Sequence, residues 1–220
     1  MVLRIGHRGA SGQYPENTML SFERALDLDV DMVELDVKLC RSGELVVIHD
    51  ETVDRTTDGS GKILDLDLRE IKELDAGSGE MIPTLVEVLE LVKGHCGVNI
   101  ELKGLGTAEP VGKLVREMEN VLVSSFHPGE LYDLFSFDNS INLGFLIDKD
   151  PRGGEEFIRE LGGYSIHPRY DQTYPEYVDL CHGIDLKVIV WTVNDEDDIT
   201  KMVEMGVDGI ISDYPERVPQ

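Results

Sequence analysis

Short apolar runs, each followed by a segment of helical periodicity, recur along this chain of 220 residues, and this alternation most constrains its fold. Several of the runs are rich in valine and isoleucine with little polar alternation, which is typical of parallel strands buried on both faces. Eight strand–helix units predict an α/β fold, a closed (β/α)8 TIM barrel, with an open doubly wound sheet as the alternative. The eight candidate strands are residues 3–6, 32–37, 98–102, 121–126, 142–147, 164–168, 187–193 and 209–213.

Helix start signals fall between these candidate strands. Asn17 is placed to cap the first helix. Thr84 with Glu87, and Thr173 with Glu176, have the spacing of capping boxes. We therefore expect helices to begin just after residues 17, 84 and 173.

The chain carries no linker-like stretch, so we expect residues 1–220 to form a single domain. The size is lean for a barrel of this class, which typically needs about 250 residues. Only residues 214–220 follow the last candidate strand. The usual final helix therefore has little or no room.

An additional strand candidate, "ELVVIHD" at residues 44–50, follows the second strand after only a short loop. A parallel crossover needs about a dozen residues or more. This segment is therefore expected to return as the second arm of an antiparallel β-hairpin. A turn centred near Ser42 would put Leu35 opposite His49, and would bring His49 beside Glu34 and Asp36.

Composition excludes several classes of protein. Forty-four acidic and twenty basic residues give a formal net charge of −24, which disfavours nucleic acid and anionic membranes as partners. The three cysteines are widely spaced and form neither a disulfide framework nor a zinc motif. No apolar run approaches the roughly 20 residues that span a bilayer, and the first residues do not have the pattern of a signal peptide. We expect a cytoplasmic protein with no stable membrane anchor.

Polar residues alternate on two neighbouring strands. Glu34 and Asp36 share one face of the second strand, and Asn99, Glu101 and Lys103 share one face of the next barrel strand. In a barrel these sets face the interior near its mouth, because the outer face packs on helices. Active sites of this fold lie at the C-terminal ends of the strands.

Three carboxylates gathered in a partly buried mouth repel one another and lose hydration. One divalent cation would remove this difficulty. Because Glu34, Asp36 and Glu101 offer only hard oxygen ligands, Mg²⁺ or Ca²⁺ suits them better than zinc. The alternative is a structural network in which the carboxylates pair with Arg8 and Lys103.

His7 and His49 end the first strand and the returning hairpin arm. Two histidines beside a metal suit a general acid and a general base. Arg8 and Lys103 add two cations to a strongly acidic protein, which indicates an anionic substrate group, most simply a phosphate. Trp191, the only tryptophan, could equally line the pocket or fill the core.

The motifs resemble those of the glycerophosphodiester phosphodiesterase family over nearly the whole chain. "GHRGASGQYPENT" resembles the opening signature of that family, and "VELDVKLCRSGELVVIHDETVDRTTDGSG" resembles its metal-binding and second-histidine block. "IPTLVEVL", "NIELK", "SSFHP", "VIVWTVN" and "GVDGIISDYPE" follow in family order. The ordered set is specific, although each short motif alone is weak. The turn "CRSG" departs from the more usual Thr-x-Asp-Gly.

The resemblance implies a TIM barrel with a small insertion after the second strand, matched here by residues 50–80. It also implies site roles for eight residues. Arg8 and Lys103 would hold phosphate oxygens, and Trp191 would shape the glycerol side of the pocket. The implied metal ligands are Glu34, Asp36 and Glu101, and the implied catalytic histidines are His7 and His49.

The implied reaction is metal-dependent hydrolysis of glycerophosphodiesters, such as glycerophosphocholine and glycerophosphoethanolamine, to sn-glycerol 3-phosphate and an alcohol. A related activity on lysophospholipids is the nearest alternative and needs an apolar channel at the mouth. Phe126, Leu131, Phe135, Phe145 and Tyr170 are candidates for its walls. A non-catalytic phosphate-binding barrel is the alternative from another class, but it predicts the loss of a histidine or metal carboxylate.

Overall fold

The computed structural model describes residues 1–219 and contains a closed barrel of eight parallel strands with one antiparallel strand beside it. Each barrel strand pairs with its neighbour in chain order, and the last pairs with the first, with Arg4 opposite Ile210. The predicted (β/α)8 architecture is confirmed, and the open sheet is wrong. The strands are β1 (Leu3–His7), β2 (Met32–Leu39), β3 (Leu45–Val47), β4 (Gly97–Leu102), β5 (Val121–Ser125), β6 (Asn142–Ile147), β7 (Ser165–Pro168), β8 (Lys187–Val190) and β9 (Gly209–Ser212).

The predicted hairpin is present. Strand β3 runs antiparallel to the end of β2, with Val37 opposite Val47 and Leu39 opposite Leu45. The pairing is shorter than the predicted 44–50, but its register is the one that places His49 level with Leu35. In the turn, Gly43 adopts a positive φ of 94° and its N–H donates to the Cys40 carbonyl.

Seven helices connect the barrel strands, and one short helix lies in the segment after β3. The helices are α1 (Met19–Asp27), α2 (Leu68–Lys72), α3 (Leu85–Val92), α4 (Ala108–Val115), α5 (Pro128–Phe137), α6 (Gly154–Glu160), α7 (Pro175–His182) and α8 (Glu196–Met205). After β9 the described chain has only a 3₁₀ turn, Pro215–Arg217. The missing final helix agrees with the short C-terminal segment.

The helix caps correct two predictions. Thr84 and Glu87 form the expected capping box of α3. The cap of α1 is Thr18, whose side chain accepts from the Ser21 N–H. Asn17 instead directs its amide into the barrel mouth. Thr173 lies two residues before α7, and its hydroxyl donates to the Arg169 carbonyl, so the second box is wrong.

Apolar side chains form three packed groups. The largest lies between the barrel and its surrounding helices. The second lies under the segment after β3 and includes Val53, Ile63 and Ile71. The third fills the floor of the barrel with Ile5 and Ile189 among its members. None of the described helices, from α1 to α8, combines the length and apolarity that crossing a bilayer requires.

Candidate active site

The three predicted acidic residues meet inside the barrel at the C-terminal ends of β2 and β4. The strands pair in parallel with Asp36 opposite Glu101, and Glu34 lies one alternation earlier on the same inner face. Each of the three offers a ligand oxygen, and these oxygens all lie within 4.8 Å of one another. All three side chains are buried. The cluster is compatible with a divalent cation.

Burial and mutual repulsion oppose the ionisation of two of these three carboxylates. Burial, with a contribution from the Asp36 carboxylate, raises the pKa of Glu34 well above its usual value. The same two causes raise the pKa of Glu101 to about 7. Burial acts in this direction on Asp36 too, but the charges of Arg8 and Lys103 outweigh it, so the Asp36 pKa is lowered.

The donor atoms fit a hard cation. The alternative network of ion pairs is present in part, since Arg8 Nε lies 3.1 Å from Asp36 Oδ2 and Lys103 Nζ lies 2.6 Å from Glu101 Oε1. Two cations face three carboxylates, however. Within residues 1–219, the buried Oδ1 atoms of Asp36 and Asn99 receive no hydrogen bond. Buried oxygens without donors are costly, and a bound Mg²⁺ or Ca²⁺ would satisfy them.

His7 lies at the end of β1, opposite Glu34 on β2. Its Nδ1 lies 2.5 Å from Asp213 Oδ1, and its Nε2 lies 3.9 Å from Glu34 Oε2. Burial would raise the pKa of Asp213, but hydrogen bonds from His7, Asn194 and Ser11 lower it to about 2. The ionised Asp213 therefore holds Nδ1 and leaves Nε2 directed at the carboxylates.

His49 follows β3 and has a matching arrangement. Its Nδ1 lies 2.6 Å from Asp50 Oδ1. Burial lowers the pKa of His49, although the Asp36 and Asp50 carboxylates act against that shift. Hydrogen bonds from Arg55 hold the pKa of Asp50 well below its usual range. In each imidazole, Nδ1 thus contacts an aspartate, and Nε2 is available to groups in the cavity.

Arg8 owes its position to an unusual backbone. It has a φ of +52°, a left-handed conformation that residues other than Gly, Asn and Asp rarely adopt. This turn directs its N–H to Glu34 Oε2 at 3.1 Å and its guanidinium towards Asp36. Lys103, just after β4, lies over the Phe126 ring at 5.2 Å. Both cations are mostly buried beside the carboxylates.

The sequence alone left two roles open for Trp191, a pocket wall or core packing. In the structure it lines the pocket. Its Nε1 donates to the His167 carbonyl at 2.8 Å, and its ring packs edge-on against Phe126 with centroids 5.2 Å apart. A cavity of about 90 Å³ lies between these groups. Its walls include His7, Arg8, Glu34, His49, Asn99, Glu101, Lys103, Phe126 and Trp191.

The other four histidines do not line the cavity. His95 is exposed at the opposite end of the barrel, and His182 pairs with Asp208 at that end too. His127 begins α5. His167 is completely buried, with Nε2 2.8 Å from Ser165 Oγ.

Sequence reasoning missed several residues around the site. Asp213 and Asp50 directly follow β9 and His49, so a search for acidic residues at strand ends could have found them. Asn17 donates to Asp36 Oδ2 at 2.9 Å, a contact that its resemblance to a helix cap concealed. Arg55 belongs to an irregular loop, and no local pattern indicates where its side chain lies.

The fold and the site together define a barrel protein with an acidic cluster compatible with a divalent cation and with two flanking histidines at its mouth. The chain matches the model of the glycerophosphoryl diester phosphodiesterase family over residues 7–217. It is 43% identical to a glycerophosphodiester phosphodiesterase of Caldanaerobacter subterraneus, over 98% of this chain and 96% of that protein. It is 36% identical to one from Bacillus altitudinis, over 97% and 95% respectively.

A comparison with a solved structure supports the same family assignment. A phosphodiesterase from Oleispira antarctica, in complex with the product sn-glycerol-3-phosphate, superposes with a TM-score of 0.92 and 32% identity, covering 97% of this chain and 94% of that one. The chain therefore belongs to the glycerophosphoryl diester phosphodiesterase family, and the predicted resemblance is confirmed. The expectation of an enzyme is confirmed with it.

Proposed function

We propose that this enzyme hydrolyses glycerophosphodiesters, such as glycerophosphocholine and glycerophosphoethanolamine, to sn-glycerol 3-phosphate and an alcohol. The observation that carries this proposal is the meeting of three carboxylates, two imidazoles and two basic side chains around one cavity. Family membership and the product complex of the Oleispira relative support it. A small-molecule substrate and a cytoplasmic location both stay predictions.

Glu34, Asp36 and Glu101 would hold one divalent cation, Mg²⁺ or Ca²⁺. When bound, this ion supplies Lewis-acid chemistry, which offsets the negative charge that builds on the phosphoryl oxygens. The raised pKa values of Glu34 and Glu101 support the need for such a charge, because both carboxylates must ionise to serve as ligands.

Arg8 and Lys103 would bind the non-bridging oxygens of the phosphate. Both side chains point into the cavity next to the carboxylates, which limit their freedom and keep them in place. Fixed positive groups aimed at developing charge stabilise a transition state more than they stabilise the substrate. Trp191 would form the apolar wall against which the glycerol carbons pack.

His7 and His49 would move the two protons of the reaction. One imidazole removes a proton from the attacking oxygen as its bond to phosphorus forms. The other donates a proton to the alkoxide as the bond between phosphorus and the leaving alcohol breaks. The attacking oxygen belongs either to water or to the substrate's own 2-hydroxyl, which would give a cyclic phosphate first.

A second candidate substrate is a lysophospholipid. A groove of about 880 Å³ adjoins the cavity and is lined by Phe126, Phe145, Phe157 and Trp191. The aromatic part of this lining favours an acyl chain as an alternative occupant, although Asp148, Asp150 and Arg152 also line the groove. Three of the five predicted wall residues do not line the groove: Leu131 is buried in the core, and Phe135 and Tyr170 pack against it. The ratio of turnover on deacylated and lysophospholipid substrates separates the two candidates.

The test is turnover of glycerophosphocholine by His7→Ala and His49→Ala. Each substitution should lower kcat by about 10²-fold or more, since general acid–base catalysis typically contributes 10²–10⁴-fold. His95→Ala, an exposed histidine at the far end of the barrel, serves as the matched control and should retain wild-type turnover. Near-normal rates in either folded site variant, or activity that survives exhaustive EDTA treatment, would contradict the mechanism.

A further inference from the structure

The guanidinium of Arg55 lies between two carboxylates at the rim of the site. Its Nε and Nη2 donate to Asp50 Oδ2 and Oδ1 at 2.6 and 3.0 Å. Its Nη1 and Nη2 donate to Glu16 Oε2 and Oε1, both at 2.8 Å. Both contacts are bidentate, the geometry in which arginine gives directional as well as electrostatic binding. One side chain thus joins two loops that are far apart in the sequence.

Each of these carboxylates also holds a site residue, through an oxygen that it shares with Arg55. Asp50 Oδ1 lies 2.6 Å from His49 Nδ1. Glu16 Oε1 accepts from Arg8 Nη1 at 2.7 Å. The chain of contacts therefore runs from His49 through Asp50, Arg55 and Glu16 to Arg8.

We propose that Arg55 is a positioning residue: it fixes both His49, the candidate acid–base group, and Arg8, the candidate phosphate ligand. This inference rests on the proposed function for the roles of those two residues. Arg55 fixes the orientation of the Asp50 carboxylate, so that Asp50 accepts the Nδ1 proton of His49 and Nε2 remains the reactive nitrogen. It also limits the directions in which Glu16 can hold the Arg8 guanidinium.

The segment after β3 supplies the rigidity that this role requires. Val53, two residues before Arg55, is completely buried in the apolar group that includes Ile63 and Ile71. The Thr57 hydroxyl donates to the Val53 carbonyl at 2.8 Å. The inserted segment, with its own small core, therefore holds the Arg55 backbone in place, which makes the insertion part of the active-site architecture.

Arg55 contributes more to geometry than to stability. Its side chain is 48% exposed, and exposed ion pairs typically contribute about 0–1 kcal/mol. Its removal should therefore change turnover far more than folding. Arg41 offers a matched control, because its Nη2 bridges Asp67 and Glu70 at 2.9 Å each, and none of these residues lines the cavity.

The experiment compares Arg55→Ala, Arg55→Lys and Arg41→Ala on glycerophosphocholine with the cation present. Arg55→Ala should lower kcat about 10- to 100-fold, the usual cost of losing a residue that orients a functional group. Arg55→Lys should recover only part of the loss, because an ammonium is a point charge without a planar fork. Added guanidinium should partly restore Arg55→Ala. Arg41→Ala should match wild type.

Imidazole ¹⁵N spectra, which need no substrate, give a second measurement. Wild-type His49 should show the Nδ1–H tautomer, and Arg55→Ala should show mixed tautomers. An unchanged His49 spectrum, a kcat within threefold of wild type, or an equal loss in Arg41→Ala overturns the proposal. A wild-type enzyme without turnover would contradict the proposed function instead, and the spectra alone would then decide whether Arg55 positions His49.

Discussion

At the scale of single residues, the site depends on two carboxylates that hold its imidazoles. His7 and His49 each place Nδ1 on an aspartate, Asp213 or Asp50, and each leaves Nε2 towards the cavity. A carboxylate at one ring nitrogen fixes the tautomer and orientation of the other. Two separate loops thus each supply an aspartate that orients one imidazole.

The Asp213→Asn variant tests this arrangement at His7. An amide is uncharged and holds the imidazole less firmly, so kcat should fall about 10- to 100-fold with a smaller change in KM. Asp208→Asn is the control, because Asp208 pairs with His182 Nε2 at 2.8 Å at the opposite end of the barrel. Steady-state kinetics of both variants provide the measurement. Equal effects of the two substitutions, or none at Asp213, would contradict an orienting role.

At the scale of elements, the strands and the carboxylate cluster follow from the sequence because they depend on local periodicity. Alternation places Glu34 with Asp36, and the parallel register of β2 and β4 brings Glu101 to them. The contacts of Asn17 and Arg55 do not follow from this local periodicity. Both side chains lie on irregular loops, where a positive φ or a long flexible side chain decides the partner.

The caps give a prediction at this scale. Thr84→Ala removes the side chain that accepts from the Glu87 N–H, so the free energy of unfolding should fall by about 1 kcal/mol. The same substitution at Thr200, exposed within α8 and donating to the Glu196 carbonyl, should be neutral or slightly stabilising. Urea unfolding of both variants measures the difference. Similar losses at the two positions would contradict the capping role.

At the scale of the whole molecule, the barrel encloses a completely buried histidine, His167. Gly144 on β6 has no side chain, and a Cβ there would lie 2.7 Å from His167 Nε2. The glycine thus makes room for the His167 ring inside the barrel. Burial lowers the pKa of His167 to about 3, and no hydrogen bond from residues 1–219 reaches its Nδ1. The barrel therefore folds around a neutral imidazole.

This neutral imidazole links the stability of the whole fold to pH. In the unfolded chain His167 binds a proton below the ordinary histidine pKa of 6.5, whereas in the folded state it does so only near a pKa of about 3. The stability that the fold has with a neutral His167 is therefore fully present above pH 6.5 and is lost as the pH falls towards 3. Between these two pKa values, the free energy of unfolding should change by about 1.4 kcal/mol per pH unit for this one proton.

His167→Gln removes that proton, while glutamine keeps a hydrogen-bonding group near Ser165. The variant should be less stable than wild type at pH 7, because a buried ring with its packing is lost. The difference should shrink by roughly 2–3 kcal/mol on going from about pH 6.5 to about pH 4.5, since only wild type must strip a proton from this side chain to fold. The many carboxylates titrate alike in both proteins, so they cancel in the comparison. Urea unfolding across this range, with chelator present, provides the measurement, and parallel pH profiles would show that folding does not lower the pKa of His167.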